Sequence, residues 1–335
     1  MDALLFQPLL KRLVWGGRRL GELLGKQLGE ASDYAESWEI VDHGADQSVV
    51  SDGPLRGKTL HQLVQEHPAE LFGRDARYEA FPLLFKFLDC HRVLSVQVHP
   101  GDDYASRMAV PDLGKTEAWY VVDAQPGSLI YAGLKSGVDA AALERAMLAG
   151  KVDDVLHSVE PQVGDCYFIP AGTVHALGGG LVVAEIQQAS NTTFRLFDWN
   201  RVDEQGRGRE LHVREALAVT DFDRGPVRPQ VPQTDLDGLR TLVDCDRFVL
   251  RKAELFAPAS AAGRLTQVVL GGDQRMRIVS VVGGSACLAA VDGPPHTLPM
   301  GQSVLVPAAA GQVRVWAEDR DATLLVVNLP SPVVP

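Results

Sequence analysis

The sequence predicts a mainly β protein of two barrels or sandwiches with a small helical insertion, and three observations carry that prediction. Short runs that alternate apolar and polar residues recur from Phe81 onward, punctuated by Gly and Pro turns. Two segments repeat: Gly164-Asp-Cys-Tyr-Phe-Ile-Pro170 resembles Gly301-Gln-Ser-Val-Leu-Val-Pro307, and Glu117-Ala-Trp-Tyr-Val-Val122 resembles Arg277-Ile-Val-Ser-Val-Val282. The length, 335 residues, exceeds what one small domain needs. We expect a first unit over 1–230, with an N-terminal helical segment and a helical insertion near 139–157, and a degenerate second unit over 240–335.

The elements follow in chain order. Trp15-Gly16-Gly17 reads as a turn. Thr59 and Gln62 form a capping box that opens a short helix along Leu60, Leu63 and Val64, ending near Pro68. Val93–His99 alternates strictly, with Ser95, Gln97 and His99 on one face and Leu94, Val96 and Val98 on the other. Polar groups on one face and aliphatics on the other suit a strand beside a polar cavity. Thr116–Val122 is a second strand. Asp139 is an N-cap candidate for a helix bearing Leu143, Ala146 and Met147 and closed by Gly150. Strands resume at 166–169, 173–177, 181–187 and 193–199, and a short helix is expected over 211–219. The Pro- and Gly-bearing stretch 224–233 reads as a linker, and 240–335 is again Val- and Gly-rich with short strands.

Composition excludes several function classes. Hydrophobic residues make up 46% and charged residues 22%, so a sizeable core can be buried. No run of about 18 apolar residues predicts a membrane helix, and Asp2 stands where a secretion signal wants basic residues. The formal net charge of −11 opposes nucleic acid and anionic lipid. Cys90, Cys166, Cys245 and Cys287 are too scattered for a disulfide framework or a thiolate zinc site. A cytoplasmic protein without nucleic-acid or membrane partners, monomeric or weakly dimeric, is the expectation.

The chemistry concentrates in four residues. Gly164-x5-Pro170-x-Gly172-x2-His175 resembles the second motif of the cupin family, although Gly179 stands where that motif has an asparagine. The two units are therefore expected to be cupin-like jelly rolls. The first motif is looser: Gln97 and His99 lie one residue apart, and the glutamate is delayed to Glu117. Two imidazoles, one carboxylate and one amide suit Zn²⁺ or a similar borderline metal and leave it a Lewis acid. In the second copy Arg277 replaces Glu117 and Gln312 replaces His175, so the metal is expected only in the first unit. The remaining histidines, at 43, 61, 67, 91, 157, 212 and 296, read as structural or surface residues.

The match then narrows. Ser95-Val-Gln97-Val-His99-Pro100, Gly114-Lys115-Thr116-Glu117 and Pro170-Ala-Gly-Thr-Val-His175-Ala are similar in order and spacing to the type I mannose-6-phosphate isomerases, most closely the short bacterial forms. Phe81–Lys86 and Trp15-Gly16-Gly17 agree as well, and the resemblance spans roughly residues 5–222. It implies an enzyme with one Zn²⁺ per chain that interconverts mannose 6-phosphate and fructose 6-phosphate. It carries the metal ligands onto Gln97, His99, Glu117 and His175, and active-site roles onto Lys115, Glu185 and Arg195. Leu177 and Asn191 depart from the family pattern, which has an aromatic residue and an aspartate there.

Isomerisation moves a proton between C2 and C1, so it needs a base and positive charge for the enediolate oxygens. The metal and Arg195 would supply charge, and Lys115, sharing a strand face with Glu117, would assist ring opening or an oxyanion. Glu185, on an apolar strand, is expected either to pair with Arg195 or to have a raised pKa. Lys86, at the end of an apolar run, and Ser95 are assigned to phosphate. Two rival readings share the barrel: an iron cupin oxygenase and a non-catalytic sugar-phosphate-binding protein.

Overall fold

The run from Phe81 to Phe85 is apolar because the strand it leads into, Leu83–Cys90, is buried on both faces. That strand is central to a six-stranded antiparallel sheet, ordered Cys166–Ile169, Glu117–Ala124, Leu181–Gln188, Leu83–Cys90, Tyr34–Ile40, Leu9–Gly17. A five-stranded sheet accompanies it, ordered Leu156–Val159, Ile130–Leu134, His175–Leu177, Val96–Val98, Phe194–Phe197. These strands form the first sandwich. A computed structural model describes residues 1–331 except 203, 204, 236 and 292; positions 332–335 of the expected second unit lie outside the described residues.

The second sandwich joins a four-stranded sheet to an eight-stranded one. The eight-stranded sheet takes strands from 233–328 and also Leu4–Gln7 and Val49–Val50 from the start of the chain. Leu4–Gln7 pairs with Ser303–Val306 on one side and with Val49–Val50 on the other. One continuous core joins the two sandwiches. It contains Leu83, Phe85, Phe87, Val182 and Ile186 from the six-stranded sheet, and Leu250, Ile278, Leu305 and Val327 from the eight-stranded sheet. Each such side chain contributes about 1.5–3 kcal/mol when fully buried. Leu60, Leu63, Leu71 and Phe72 from two short helices pack into the same core.

The internal repeat is a repeat of register. Glu117 pairs with Ile169, the residue before Pro170, and Arg277 pairs with Val306, the residue before Pro307. The interior cluster of the second sandwich is aliphatic, including Val279, Val281, Leu288, Val313, Val315, Leu324 and Val326.

Most local expectations hold. The capping box of Thr59 and Gln62 opens Leu60–Glu66, and Pro68 begins a second helix at its first turn. The Asp139 side chain accepts from the Ala142 N–H and caps Ala140–Leu148. This helix and Val213–Val219 cover the outer face of the five-stranded sheet, where Val96, Val98, Leu143 and Ala216 form one cluster. Two expectations need correction. Trp15-Gly16-Gly17 is no turn but the irregular end of strand Leu9–Gly17, with register shifts against Tyr34–Ile40. Gly16 is required there because a Cβ would lie 2.5 Å from the Ala35 nitrogen. The strand expected from Val93 begins only at Val96, and Leu94 packs instead with Trp15, Trp119 and Leu177.

Candidate metal centre

Register alone brings the polar residues together. In the five-stranded sheet, His175 pairs with Gln97 and Gln97 with Arg195. In the six-stranded sheet, Trp38, Lys86, Glu185 and Trp119 are successive cross-strand neighbours, and Gln187 pairs with Glu117. A period of two turns each side chain to the same face as its partner.

His99, Glu117 and His175 are each 1% exposed and offer ligand atoms within 4.8 Å of one another. His175 Nε2 lies 3.4 Å from one Glu117 oxygen, and His99 Nε2 lies 3.6 Å from the other. Each imidazole is oriented from behind. His99 Nδ1 donates to the Thr192 carbonyl at 2.9 Å, and His175 Nδ1 donates to the Thr173 carbonyl at 2.8 Å. That fixes the tautomer with a free lone pair on Nε2, as a metal ligand requires. Burial, reinforced by Lys115, holds His99 well below the ordinary histidine range, and burial lowers His175 to about 4. Both rings are therefore neutral at pH 7. The Gln97 side-chain amide is 3.3 Å from His175 Nε2, close enough for its oxygen to join the set after an amide flip. A neutral, preoriented imidazole pair with a carboxylate fits a divalent cation.

Backbone bonds fasten the ligand-bearing segments. The Gly172 N–H donates to the His99 carbonyl and the Lys115 N–H to the Pro100 carbonyl. Gly172 has φ +88°, and a Cβ there would lie 3.1 Å from the Val219 carbonyl, so the turn before His175 demands glycine.

Two lysines and two further glutamates surround the triad. Lys115 Nζ lies 2.7 Å from Glu117 and 3.0 Å from His99 Nε2. Lys86 Nζ lies 3.0 Å from Glu185 and 3.3 Å from Glu36. Trp119 Nε1 donates to Glu185 at 2.9 Å. Glu185 meets neither expectation set for it: it is paired with Lys86 rather than Arg195, and its pKa is lowered. Burial opposes its charge, but Lys86, Lys115 and the Trp119 donor outweigh that penalty. Glu117 is pushed upward, by burial first and by Glu185 second.

Arg195 stands apart. Its Nη1 donates to the Glu210 carbonyl at 2.8 Å and its Nε to Ser95 Oγ at 3.3 Å. Among the described residues no carboxylate lies within ion-pair distance of it. Sequence reasoning missed Glu36, Trp38 and Trp119. Trp119 could have been found, since it shares a strand face with Glu117; its ring meets His175 edge-on, with centroids 5.2 Å apart. Glu36 and Trp38 carry no local signal and enter through sheet register.

A cleft of about 910 Å³ lies between His43, His61, Phe81, Asp112 and Arg247, and its lining includes none of His99, Glu117 and His175. No helix among the described residues is long and apolar enough to cross a membrane.

Comparison with known proteins agrees with the geometry. Residues 4–125 match the family model for the phosphomannose isomerase type I catalytic domain. The mannose-6-phosphate isomerase ManA of Bacillus subtilis is 37% identical over 280 residues, covering 82% of this chain and 87% of that protein. The mannose-6-phosphate isomerase of Streptococcus mutans is 32% identical and covers 97% of both. The crystal structure of a mannose 6-phosphate isomerase from Bacillus subtilis superposes with a TM-score of 0.85 at 30% identity, over 98% of this chain and 99% of that one. The chain belongs to the type I phosphomannose isomerase family.

Proposed function

We propose that this chain interconverts mannose 6-phosphate and fructose 6-phosphate, with one Zn²⁺ held by Gln97, His99, Glu117 and His175. The observation that carries the reading is the buried triad of two preoriented neutral imidazoles and a carboxylate, with a lysine ammonium against it. When bound, the ion would supply Lewis acidity for the sugar oxygens at C1 and C2.

The chain's own residues supply the rest. Lys115 brings a proton and a positive charge to the ligand cluster, where ring opening and the enediolate need both. Glu185, held ionised by Lys86 and Trp119, acts as a fixed anion that orients the two lysines. Glu36, Glu117 and Glu185 outnumber Lys86 and Lys115 by one negative charge. A divalent ion reverses that sign, and Arg195 adds a cation with no carboxylate at ion-pair distance among the described residues. The interior then suits a substrate whose phosphate carries about two negative charges. Ser95, whose Oγ accepts from Arg195 Nε, is assigned to the phosphate, and Arg195 to the enediolate oxygens. Lys86, committed to two carboxylates, serves that role only indirectly. Residues 1–230, apart from Leu4–Gln7 and Val49–Val50, would form the catalytic unit, and those two strands with the rest of the second sandwich the support.

The test is a coupled assay for fructose 6-phosphate formed from mannose 6-phosphate. Turnover should vanish with chelator and return with zinc. Turnover unaffected by complete metal removal would overturn the reading. Metal analysis of the isolated protein separates it from an iron oxygenase.

A further inference from the structure

The irregular segment before Glu117 carries a mostly buried acid held by four partners. Asp112 is 16% exposed and sits on the wall between the metal centre and the neighbouring cleft. One of its oxygens accepts from Ser190 Oγ at 2.8 Å and from Thr192 Oγ1 at 2.7 Å. Its other oxygen accepts from the Leu113 N–H at 2.8 Å and faces His43 Nε2 at 3.3 Å. Burial opposes the charge, but hydrogen bonds from Thr192, Ser190 and Leu113, with His43 nearby, hold this carboxyl below its ordinary range.

Those partners decide its meaning. Thr192 is the residue whose backbone carbonyl accepts from His99 Nδ1. Ser190 is fully buried, and its hydroxyl also accepts from the Thr192 N–H at 3.2 Å. Three residues after Thr192 the chain reaches Arg195, and three residues after Asp112 it reaches Lys115. One carboxylate therefore pins together the two segments that deliver His99's orienting carbonyl, Arg195, Lys115 and Glu117.

We propose that Asp112 is a positioning residue for the metal centre, acting through Thr192 on the ring of His99 and, along the same segment, on Arg195. This rests on the metal-dependent reading above and adds a residue to it. No atom of Asp112 need touch substrate or metal. Groups that bond a metal ligand directly change metal affinity or activity by about 10–100-fold when removed, and Asp112 stands one residue further out. The sign follows from the geometry: without Asp112 the carbonyl is free to drift, and His99 Nε2 loses its aim at the cluster.

The experiment compares the metal-free full-length protein with its Asp112→Ala, Asp112→Asn and Thr192→Val variants. Zinc affinity is measured by competition with a chromophoric chelator, and the visible spectrum is recorded after cobalt substitution. We expect Asp112→Ala to lose about tenfold in zinc affinity, the low end of that range, and to shift the cobalt bands. Asp112→Asn, which keeps one acceptor oxygen, should recover part of the loss. Thr192→Val keeps the carbonyl but loses the hydroxyl anchor, so it should move in the same direction. Its effect should not add to that of Asp112→Asn, because the two groups act as a unit. His43→Ala, which removes only the cleft-side neighbour, should stay within about twofold of the parent in zinc affinity. If Asp112→Ala fails to fold, the asparagine and valine variants carry the test. Parental zinc affinity and cobalt spectrum in Asp112→Asn and Thr192→Val would overturn the proposal. Failure of the parent itself to bind zinc would instead overturn the metal reading.

Discussion

The two sandwiches repeat one antiparallel strand pairing in one register and fill the space beside it with opposite chemistry. In the first, Glu117 stands opposite Ile169, and the interior beside it holds Lys86, Glu185, Lys115, His99 and His175. In the second, Arg277 stands opposite Val306, beside an interior cluster of valines and leucines. Arg277 turns to Asp273, donating at 2.9 and 2.7 Å, and Gln312, at the repeat position of His175, is exposed. The frame does not choose the chemistry; a few inward side chains do. Buried charges are expensive to desolvate and tolerable only when paired. The first interior meets that condition by pairing each lysine with a carboxylate, while the second supplies apolar burial. The shared core between them lets one support the other.

Substitutions at matched positions would break or sharpen this contrast. The largest effect should come from His175→Ala, which should abolish zinc binding and isomerase activity together. Gln312→Ala should change neither, as read by metal content and coupled assay. Next comes Arg195→Ala. It should keep its zinc and lose about 10²–10³-fold in kcat, the usual cost of removing one oxyanion-stabilising donor. A near-normal kcat would remove Arg195 from the mechanism. Lys86→Met should destabilise the protein by about 3 kcal/mol in urea unfolding, because Glu36 would lose its cation and Glu185 would keep only Lys115 at 3.9 Å and the Trp119 donor. Arg277→Gln should cost only about 0–1 kcal/mol, since its partner Asp273 is 44% exposed and stays hydrated. Equal costs at Lys86 and Arg277 would mean that the two interiors tolerate charge alike.

Local patterns were legible where one strand or one turn settles the matter. The alternation of Ser95, Gln97 and His99 displays a polar face, the spacing from Gly164 to His175 displays a presented histidine, and Thr59 and Asp139 display helix starts. Pairings between distant strands were not legible. Lys86 and Glu185 meet because strands far apart in sequence align at one register, and nothing near either residue encodes that number. Hence Glu185 read as a partner for Arg195 or a carboxyl of raised pKa, and Lys86 as a phosphate ligand. Trp15-Gly16-Gly17 misled for a related reason. Paired glycines suggest a turn, but here they allow close backbone approach inside a bulged strand.

The pairing of Leu4 with Leu305 has a consequence for synthesis. During translation, Leu4–Gln7 emerges long before its Ser303–Val306 partner exists, although Val49–Val50 on its other side follows early. At about 5–20 residues per second, the ribosome needs roughly 15–60 seconds to reach that partner. Through that interval Leu4–Gln7 is an unsatisfied edge, open to a second nascent chain. The contact also closes a loop that runs from Leu4 to Leu305, which places it among the slowest pairings to form. Yield in the cell should therefore depend on how well those first residues are shielded until the last strands arrive.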